Sequence, residues 1–499
     1  MNLRTVSHES RRGGKVSARP RTRRSCFSLE LLEDRIAPAV FNVTGLGDGL
    51  FQVTQTGPNT FNAPTLRSAI QASNTILGNN TINLTKAGTY EITIPGANTG
   101  TNKSGAFAIL PHGGNLNIVN TSGHAVTVDG NRLDRVFDIN PAHNPNTPKF
   151  TVTLQGFTIQ NGVAQPGDAA AGSGGGIRDQ GNASLTLNNM IVTGNIATAD
   201  GGGISMENLV STPWTLTINN STISNNHAGD AGGGVETDGS GNVIITPGTV
   251  INGNTSLNQG AGVWLDAIQV GTVFQGANLT ITGATITNNL ALAANNFGGG
   301  IGNAGNGAVT ITNSTISNNF SGGDGGGFAD ENNQGRLTVM SSTFDNNTAV
   351  ADGGGIEEGG HLMISTTSID QNNAGGNGGG LFAKVLVLQA SSVENNTSGG
   401  NGGGIDDVLS TNQNSTITNA TITGNRALNN AGANGGGIEA DTSSNGTLSL
   451  TNVTITNNFA SNGGGVFWAK ASNNSKVRVH NTFIANNILN NTNMPLIPF

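Results

Sequence analysis

The residues able to do chemistry fall into one pattern. Directly after a run of three glycines and an apolar residue, acidic side chains recur: Asp179, Glu207, Glu236 with Asp238, Asp266, Asp330 with Glu331, Glu357 with Glu358, Asp406 with Asp407, and Glu439 with Asp441. These are thirteen of the chain's thirty Asp and Glu. Just before the glycines a second oxygen-bearing column runs through Asp200, Asp324, Asp352, Asn377, Asn401, Asn434 and Asn462. Lys384 and Lys470 interrupt the acidic series. Hard divalent cations prefer carboxylate and carbonyl oxygens, and Ca²⁺ tolerates irregular geometry among them. Asp330, Glu331, Asp352, Glu357, Glu358, Asp406, Asp407, Glu439 and Asp441 are therefore candidate metal ligands, forming a calcium ladder. The plainer reading of the same row is a solvated face inherited copy by copy.

Other chemistries find less support. Asp406-Asp407 has the form of a paired-carboxylate site, but no Arg-x-Lys pair, His-Gly pair or further Asp cluster accompanies it. His8, His112, His124, His143, His227, His361 and His480 form no metal-spaced or triad-like set and read as loop or surface histidines. No catalytic residue and no organic cofactor is assigned.

The elements that must position these side chains are repeats. A Gly-Gly-Gly-apolar piece ends at Ile177, Ile204, Val235, Ile301, Phe328, Ile356, Leu381, Ile405, Ile438 and Val466, with Gly260-Ala261-Gly262-Val263 as a degraded copy. An apolar-x-x-Asn piece alternates with it, as in Ile223 to Asn226, Ile286 to Asn289 and Ile455 to Asn458. The period is mostly 24 to 33 residues, which marks a solenoid. In 325–347 the glycine turn leads to Phe328-Ala329-Asp330, then Arg336–Met340, then Ser342–Phe344 and the Asn turn. That predicts three short strands per coil, alternating apolar and polar between Gly and Asn breaks. Glycine suits positive φ or close packing, and Asn tolerates the left-handed region and stacks its amides.

Composition agrees. Of 499 residues 76 are Gly, and only 10% are charged, against roughly 25% in an ordinary globular domain. A net charge of −8 argues against a nucleic-acid partner for the repeats. The single cysteine, Cys26, excludes an intrachain disulfide framework. No apolar run is long enough for a transmembrane helix.

Four regions follow. Residues 1–38 form a basic export or targeting tail without apolar periodicity, read as disordered. Residues 39–140 form an N-terminal cap and first coils, with expected strands at Val40–Val43, Phe51–Val53 and Tyr90–Ile94. A helix is predicted from Leu66, Ala69, Ile70 and Ser73, starting at Pro64-Thr65 and ending by Gly78. Residues 141–487 carry the repeats, and 488–499 are a C-terminal tail that is either a minimal cap or a truncation.

Three resemblances add to this. Leu32–Ala39 resembles a short tag at the N-termini of large bacterial surface proteins. The segment around Leu66-Arg67-Ser68-Ala69-Ile70 resembles the Ser-Leu-Arg-Glu-Ala-Ile element that opens many bacterial β-helix proteins, with Thr65 and Ser68 in place of its Ser and Glu and the preceding Cys missing. The paired repeats over about 160–487 resemble the polymorphic outer-membrane protein repeat, of the pectate-lyase-like superfamily. The resemblance implies an all-β, right-handed parallel β-helix with one short capping helix. It also implies a secreted or cell-surface location more than an activity; the reading is a structural, adhesin-like protein, monomeric and without catalytic activity. Two alternatives stay open: a polysaccharide lyase or glycoside hydrolase, and a calcium-dependent module binding polysaccharide or cell-surface glycans.

Overall fold

The computed structural model describes residues 38–489, apart from 97–99, 143–147, 166–171, 182, 208–213, 332–334, 410–411, 430–431, 443–444 and 471–474. Nearly all of the basic tail (1–37) and most of the C-terminal tail (490–499) lie outside the described residues.

From Pro38 on, the described chain is a parallel β-helix. From Phe150 to Lys470 each coil contributes strands to four stacks rather than the expected three. In one coil they are Phe328–Asp330, Arg336–Met340, Thr343–Asp345 and Thr348–Ala349, here called the first to fourth sheets. They hold 13, 17, 14 and 12 strands respectively. The fourth sheet escapes sequence reading because its strands are two residues long, too short to show a period. Register holds from coil to coil: Leu337 pairs with Leu362 and Val309, and Phe344 with Ile369 and Ile316. Their side chains point inward, and one apolar cluster runs from Ala39 to Ile455.

The glycine triplets divide their work. Gly353 takes φ +65, where a β-carbon is strained. Gly354 and Gly355 have no such need. A β-carbon on Gly354 would lie 2.4 Å from the Gly379 carbonyl oxygen of the next coil. One glycine therefore turns the chain and two let successive coils touch.

The asparagines divide theirs too. Asn346 takes the left-handed conformation, φ +55. Asn347, next to it, turns inward. Its Nδ2 donates to Oδ1 of Asn372 at 3.0 Å and to the Ile316 carbonyl at 2.9 Å. The same bond repeats unbroken from Asn195 to Asn487.

At the N-terminal end, helix α1 spans Leu66–Ser73, capped by Thr65, whose hydroxyl accepts the Ser68 N–H. It stops at Asn74, short of Gly78, because the Asn74 side chain bonds to the backbone of residues 108 and 110. Phe51–Val53 is not a strand: the Phe51 N–H is taken by the Ser68 hydroxyl at 2.8 Å. An antiparallel hairpin, Thr54–Gly57 with Thr60–Ala63, follows instead. Likewise Gly88–Glu91 forms the strand, while the N–H groups of Thr93 and Ile94 go to Asp48.

Candidate functional site

The acidic residues lie on the first sheet, and strand alternation decides where each one points. In its three-residue strands the outer two positions face the core and the middle one faces out. Ile356, Leu381, Ile405 and Ile438 make one inward column; Ala383 and Ala440 belong to the other. Asp330, Glu358 and Asp407 share that second column and are buried inside. Glu236, Glu357, Asp406 and Glu439 are middle residues and face out, yet remain at most 7% exposed. The glycine turn crosses over them: a β-carbon on Gly353 would meet the Glu357 Cβ at 2.7 Å.

The solvated-face reading is therefore corrected for all but the flanking residues. Glu331 and Asp352 are half-buried, and Asp441 is exposed. The ladder is also not continuous. Phe382, Ala383 and Lys384 separate Asp330, Glu357 and Glu358 from Asp406, Asp407, Glu439 and Asp441. Asp406 and Asp407 lie on opposite faces of one strand, so they are not a carboxylate pair acting on one substrate. The Asp and Asn before each triplet act as turn acceptors: Asp352 Oδ1 takes the Asn377 N–H at 2.6 Å, and Asn377 Oδ1 takes that of Asn401 at 2.8 Å. Among the described residues no three His, Cys, Asp or Glu side chains are grouped to hold a metal ion.

Burial dominates the electrostatics. It pushes Asp407 up to about 8 even though the Ser415 hydroxyl donates to it at 2.8 Å. It pushes Glu357 up to about 8, Asp330 to about 6, Asp406 to about 7 and Glu439 to about 9.

Three consecutive coils nearer the N-terminus hold a second acidic group. Glu236 faces out between Ser205 and Trp264, and the Ser205 hydroxyl donates to its Oε2 at 2.7 Å. Asp238 lies two residues on, hence on the same face. Glu207 and Asp266 occupy its position in the coils below and above, since the three backbone N–H groups bond to residues 179, 206 and 237 in step. Unlike Glu236, these three are half-exposed. Burial, reinforced by Asp238 and Asp200, lifts Glu236 well above the carboxylate range. Burial together with Asp266, Glu207 and Asp200 lifts Asp238 to about 7.

Directly after Asp266 the chain leaves the coil as an antiparallel hairpin, Ala267–Val270 with Val273–Gly276. Its second strand reaches back to Ser240, whose hydroxyl meets Gln275 Oε1 at 3.2 Å. Beside it lies a hollow of about 320 Å³ lined by Ser240, Asn242, Asn278 and Asn306 with Gly241, Gly276 and Gly307. The sequence signal for this site was the Glu-x-Asp spacing straight after a triplet, which strand parity converts into one face. A smaller hollow of about 230 Å³ is where His361 lies, with Arg336, Met363 and Val387.

Among the described residues, two long-range buried ion pairs escaped sequence reading. Arg178 grips Asp138 of the preceding coil at 3.0 and 2.7 Å. Arg67 on α1 grips Asp48 at 2.6 and 3.1 Å. Each pair is far apart in sequence and joined only by coil stacking.

No family model and no curated protein matches the chain. Among solved structures it is similar to the crystal structure of the periplasmic alginate epimerase AlgG, at 11% identity over 82% of this chain and 77% of that one, with a TM-score of 0.36. A likeness this distant carries no functional argument. The chain's class, a parallel β-helix, rests on its own four sheets. No described helix is long and apolar enough to cross a membrane.

Proposed function

We propose that this protein is an extracytoplasmic β-helix that binds and hydrolyses an uncharged polysaccharide on the outward face that carries Asp238, beside the hairpin. One observation carries the reading: Asp238, lifted to about 7, has a partly exposed carboxyl neighbour stacked on it in each adjacent coil, Glu207 and Asp266. Positions two apart on a strand are separated by ~6.6 Å, and adjacent coils by ~4.8 Å. Carboxyl pairs at roughly 5–9.5 Å are those that cleave glycosidic bonds, one as acid and one as base or nucleophile. A carboxyl held near neutral pH suits the acid role, which falls to Asp238, at about 7. Glu207 or Asp266, its stacked neighbours, supply the carboxylate. Burial and the charges of Asp266, Glu207 and Asp200 keep Asp238 protonated. The amide- and hydroxyl-lined hollow beside the hairpin offers both donors and acceptors for sugar hydroxyls. An acidic face repels polyuronates, so a neutral glycan is the substrate class. The tag-like Leu32–Ala39 and the outer-membrane-type repeat support placement outside the cytoplasm.

The test is release of reducing ends from a panel of neutral polysaccharides by the purified chain and by Asp238→Asn and Glu236→Gln. Activity in the parent and its loss in Asp238→Asn, with an unchanged melting temperature, is expected. No release and no binding on any polymer overturns the proposal. In that case the second reading stands, a surface scaffold of adhesin type. Its supporting observation is the unbroken amide ladder from Asn195 to Asn487, which devotes the repeat's most regular side chains to stacking alone.

A further inference from the structure

The second sheet differs from the first in charge. The first carries the acidic rows, whereas none of the 17 strands of the second contains Asp or Glu. One outward column of the second sheet runs in register through Thr310, Thr338, Met363, Val387, Thr416 and Ser449. Two successive coils thus put an apolar side chain where the coils on either side put a hydroxyl, and Met363 is 38% exposed. The column beside it changes at the same place. Ala308 is followed there by Arg336 and His361, register partners that are both exposed. Val385 comes next, its carbonyl accepting the Leu362 N–H at 2.9 Å.

These replacements coincide with the hollow of about 230 Å³, which Arg336, His361, Met363, Val385 and Val387 line together. The chain crosses from the first to the second sheet in two residues here, Gly359-Gly360 and Lys384-Val385, where the links of the coils on either side span 331–335 and 410–413. Such short links leave the edge of the sheet open. Among the described residues, the Arg336 guanidinium and the His361 ring have no hydrogen-bond or ion-pair partner. A cation that served solubility alone would stand among the column's hydroxyls. This one borders an apolar floor inside a recess.

We propose that this hollow binds a small organic anion, a carboxylate or phosphate monoester carried on a short aliphatic body. The guanidinium of Arg336 presents paired N–H donors in a fixed fork that matches either head group. His361, one coil spacing away at ~4.8 Å, adds a ring N–H. Met363 and Val387 form the floor for the body, and the thioether adapts to its shape. Arg336 and Val387 stand two coils apart, ~9.6 Å along the axis, which suits a body of a few carbons. The hollow is also smaller than the roughly 300–1,000 Å³ usual for drug-sized ligands. The chain as a whole carries −8, yet no strand of this sheet bears a carboxylate to repel the anion. The site lies on another sheet and in other coils than Asp238, so it stands or falls separately from the proposed hydrolysis.

The experiment is titration calorimetry of the full chain at physiological ionic strength, with hexanoate, hexyl phosphate, hexanol and inorganic phosphate as probes. The parent should bind hexanoate or hexyl phosphate, the tighter of the two naming the head group, and should bind hexanol and inorganic phosphate far more weakly. Arg336→Gln should weaken binding about tenfold. Met363→Thr/Val387→Thr, which restores the hydroxyl column, should weaken it several-fold. Both changes lie on the outer face, so both variants should melt as the parent does. Binding of neither amphiphile by the parent overturns the proposal, as does equal binding by the parent and Arg336→Gln. Inorganic phosphate held as tightly as hexyl phosphate also overturns it, leaving a bare cationic patch. Hexanol held as tightly as hexanoate does the same, leaving an apolar one.

Discussion

Asn347 and Asn372 occupy the same corner of successive coils, and Asn372 Oδ1 accepts both the side-chain Nδ2 and the backbone N–H of Asn347, at 3.0 and 2.9 Å. Asn347 Oδ1 does the same for Asn319. Each ladder amide from Asn226 to Asn458 is thus donor to one neighbour, acceptor from the other, and buried. Asn347→Ala strands the Asn319 backbone N–H and the Ile316 carbonyl together. An orphaned buried group costs roughly 1–3 kcal/mol, so the expected loss is about 2–4 kcal/mol. Asn346→Gly, beside it, keeps the left-handed turn and should cost under about 1 kcal/mol. Urea denaturation of the two variants checks the contrast; equal losses would mean that the ladder contributes nothing beyond the turn.

The glycine triplet makes a parallel prediction with opposite causes at adjacent positions. Gly353→Asn keeps a residue type at home at φ +65, but its β-carbon would press on the Glu357 Cβ and the Ile356 carbonyl. Gly354→Ala is free of φ strain and still drives its methyl into the Gly379 carbonyl at 2.4 Å. Both should destabilise by about 1–3 kcal/mol. Were Gly354→Ala neutral in thermal melting, coil contact would not be what the second glycine serves.

These particulars explain what could be read from the sequence and what could not. Triplets and Asn turns recur in register because every coil needs the same close approach and the same corner. The solenoid and its capping helix follow directly from them. Which face an acidic residue takes depends on strand parity counted from the inward Ile or Val. Asp406 and Asp407, adjacent in sequence, could not be sorted until that origin was known. Burial of outward residues such as Glu357 depends on the glycine turn folding back over them, a tertiary event with no local signature. Nothing local marks Arg67 as buried. Its carboxylate partner lies 19 residues earlier, and it also donates to the carbonyl of Gly105.

That arginine supports a third prediction. Arg67 is fully buried, lies over the Phe107 ring at 4.8 Å and ties Asp48 to the cap. Burial works to raise Asp48, but hydrogen bonds and charge from Arg67, with the Thr93 N–H, hold it below the usual carboxylate range. Arg67→Met keeps the volume and leaves Asp48 shielded without its counter-ion. Breaking such a pair costs about 3–5 kcal/mol. Arg67→Met/Asp48→Asn should recover part of the loss. Hydrogen exchange should show the opening confined to the N-terminal coils; protection lost evenly along the solenoid would contradict a local capping role.

Calcium gives the last prediction, and the geometry makes it conditional on pH. At pH 6 the carboxyls at Asp406 and Glu439, lifted to about 7 and about 9, hold protons. A cation must displace those protons to bind, so millimolar Ca²⁺ should leave melting unchanged. At pH 9 the proton on Asp406 is gone, and Asp407, at about 8, is ionised as well. Asp406, on the outward face, then presents a carboxylate beneath the glycine turns, an oxygen ligand Ca²⁺ accepts, while Asp407 stays inside the coil. Binding to the folded state alone raises stability by mass action. Millimolar Ca²⁺ at pH 9 should therefore raise the melting temperature by several degrees, and Asp406→Asn should abolish that rise. Thermal melts at both pH values with Ca²⁺ or EDTA decide it. If Ca²⁺ has no effect on the parent at pH 9, the calcium ladder is excluded and the acidic rows are left with their protons alone.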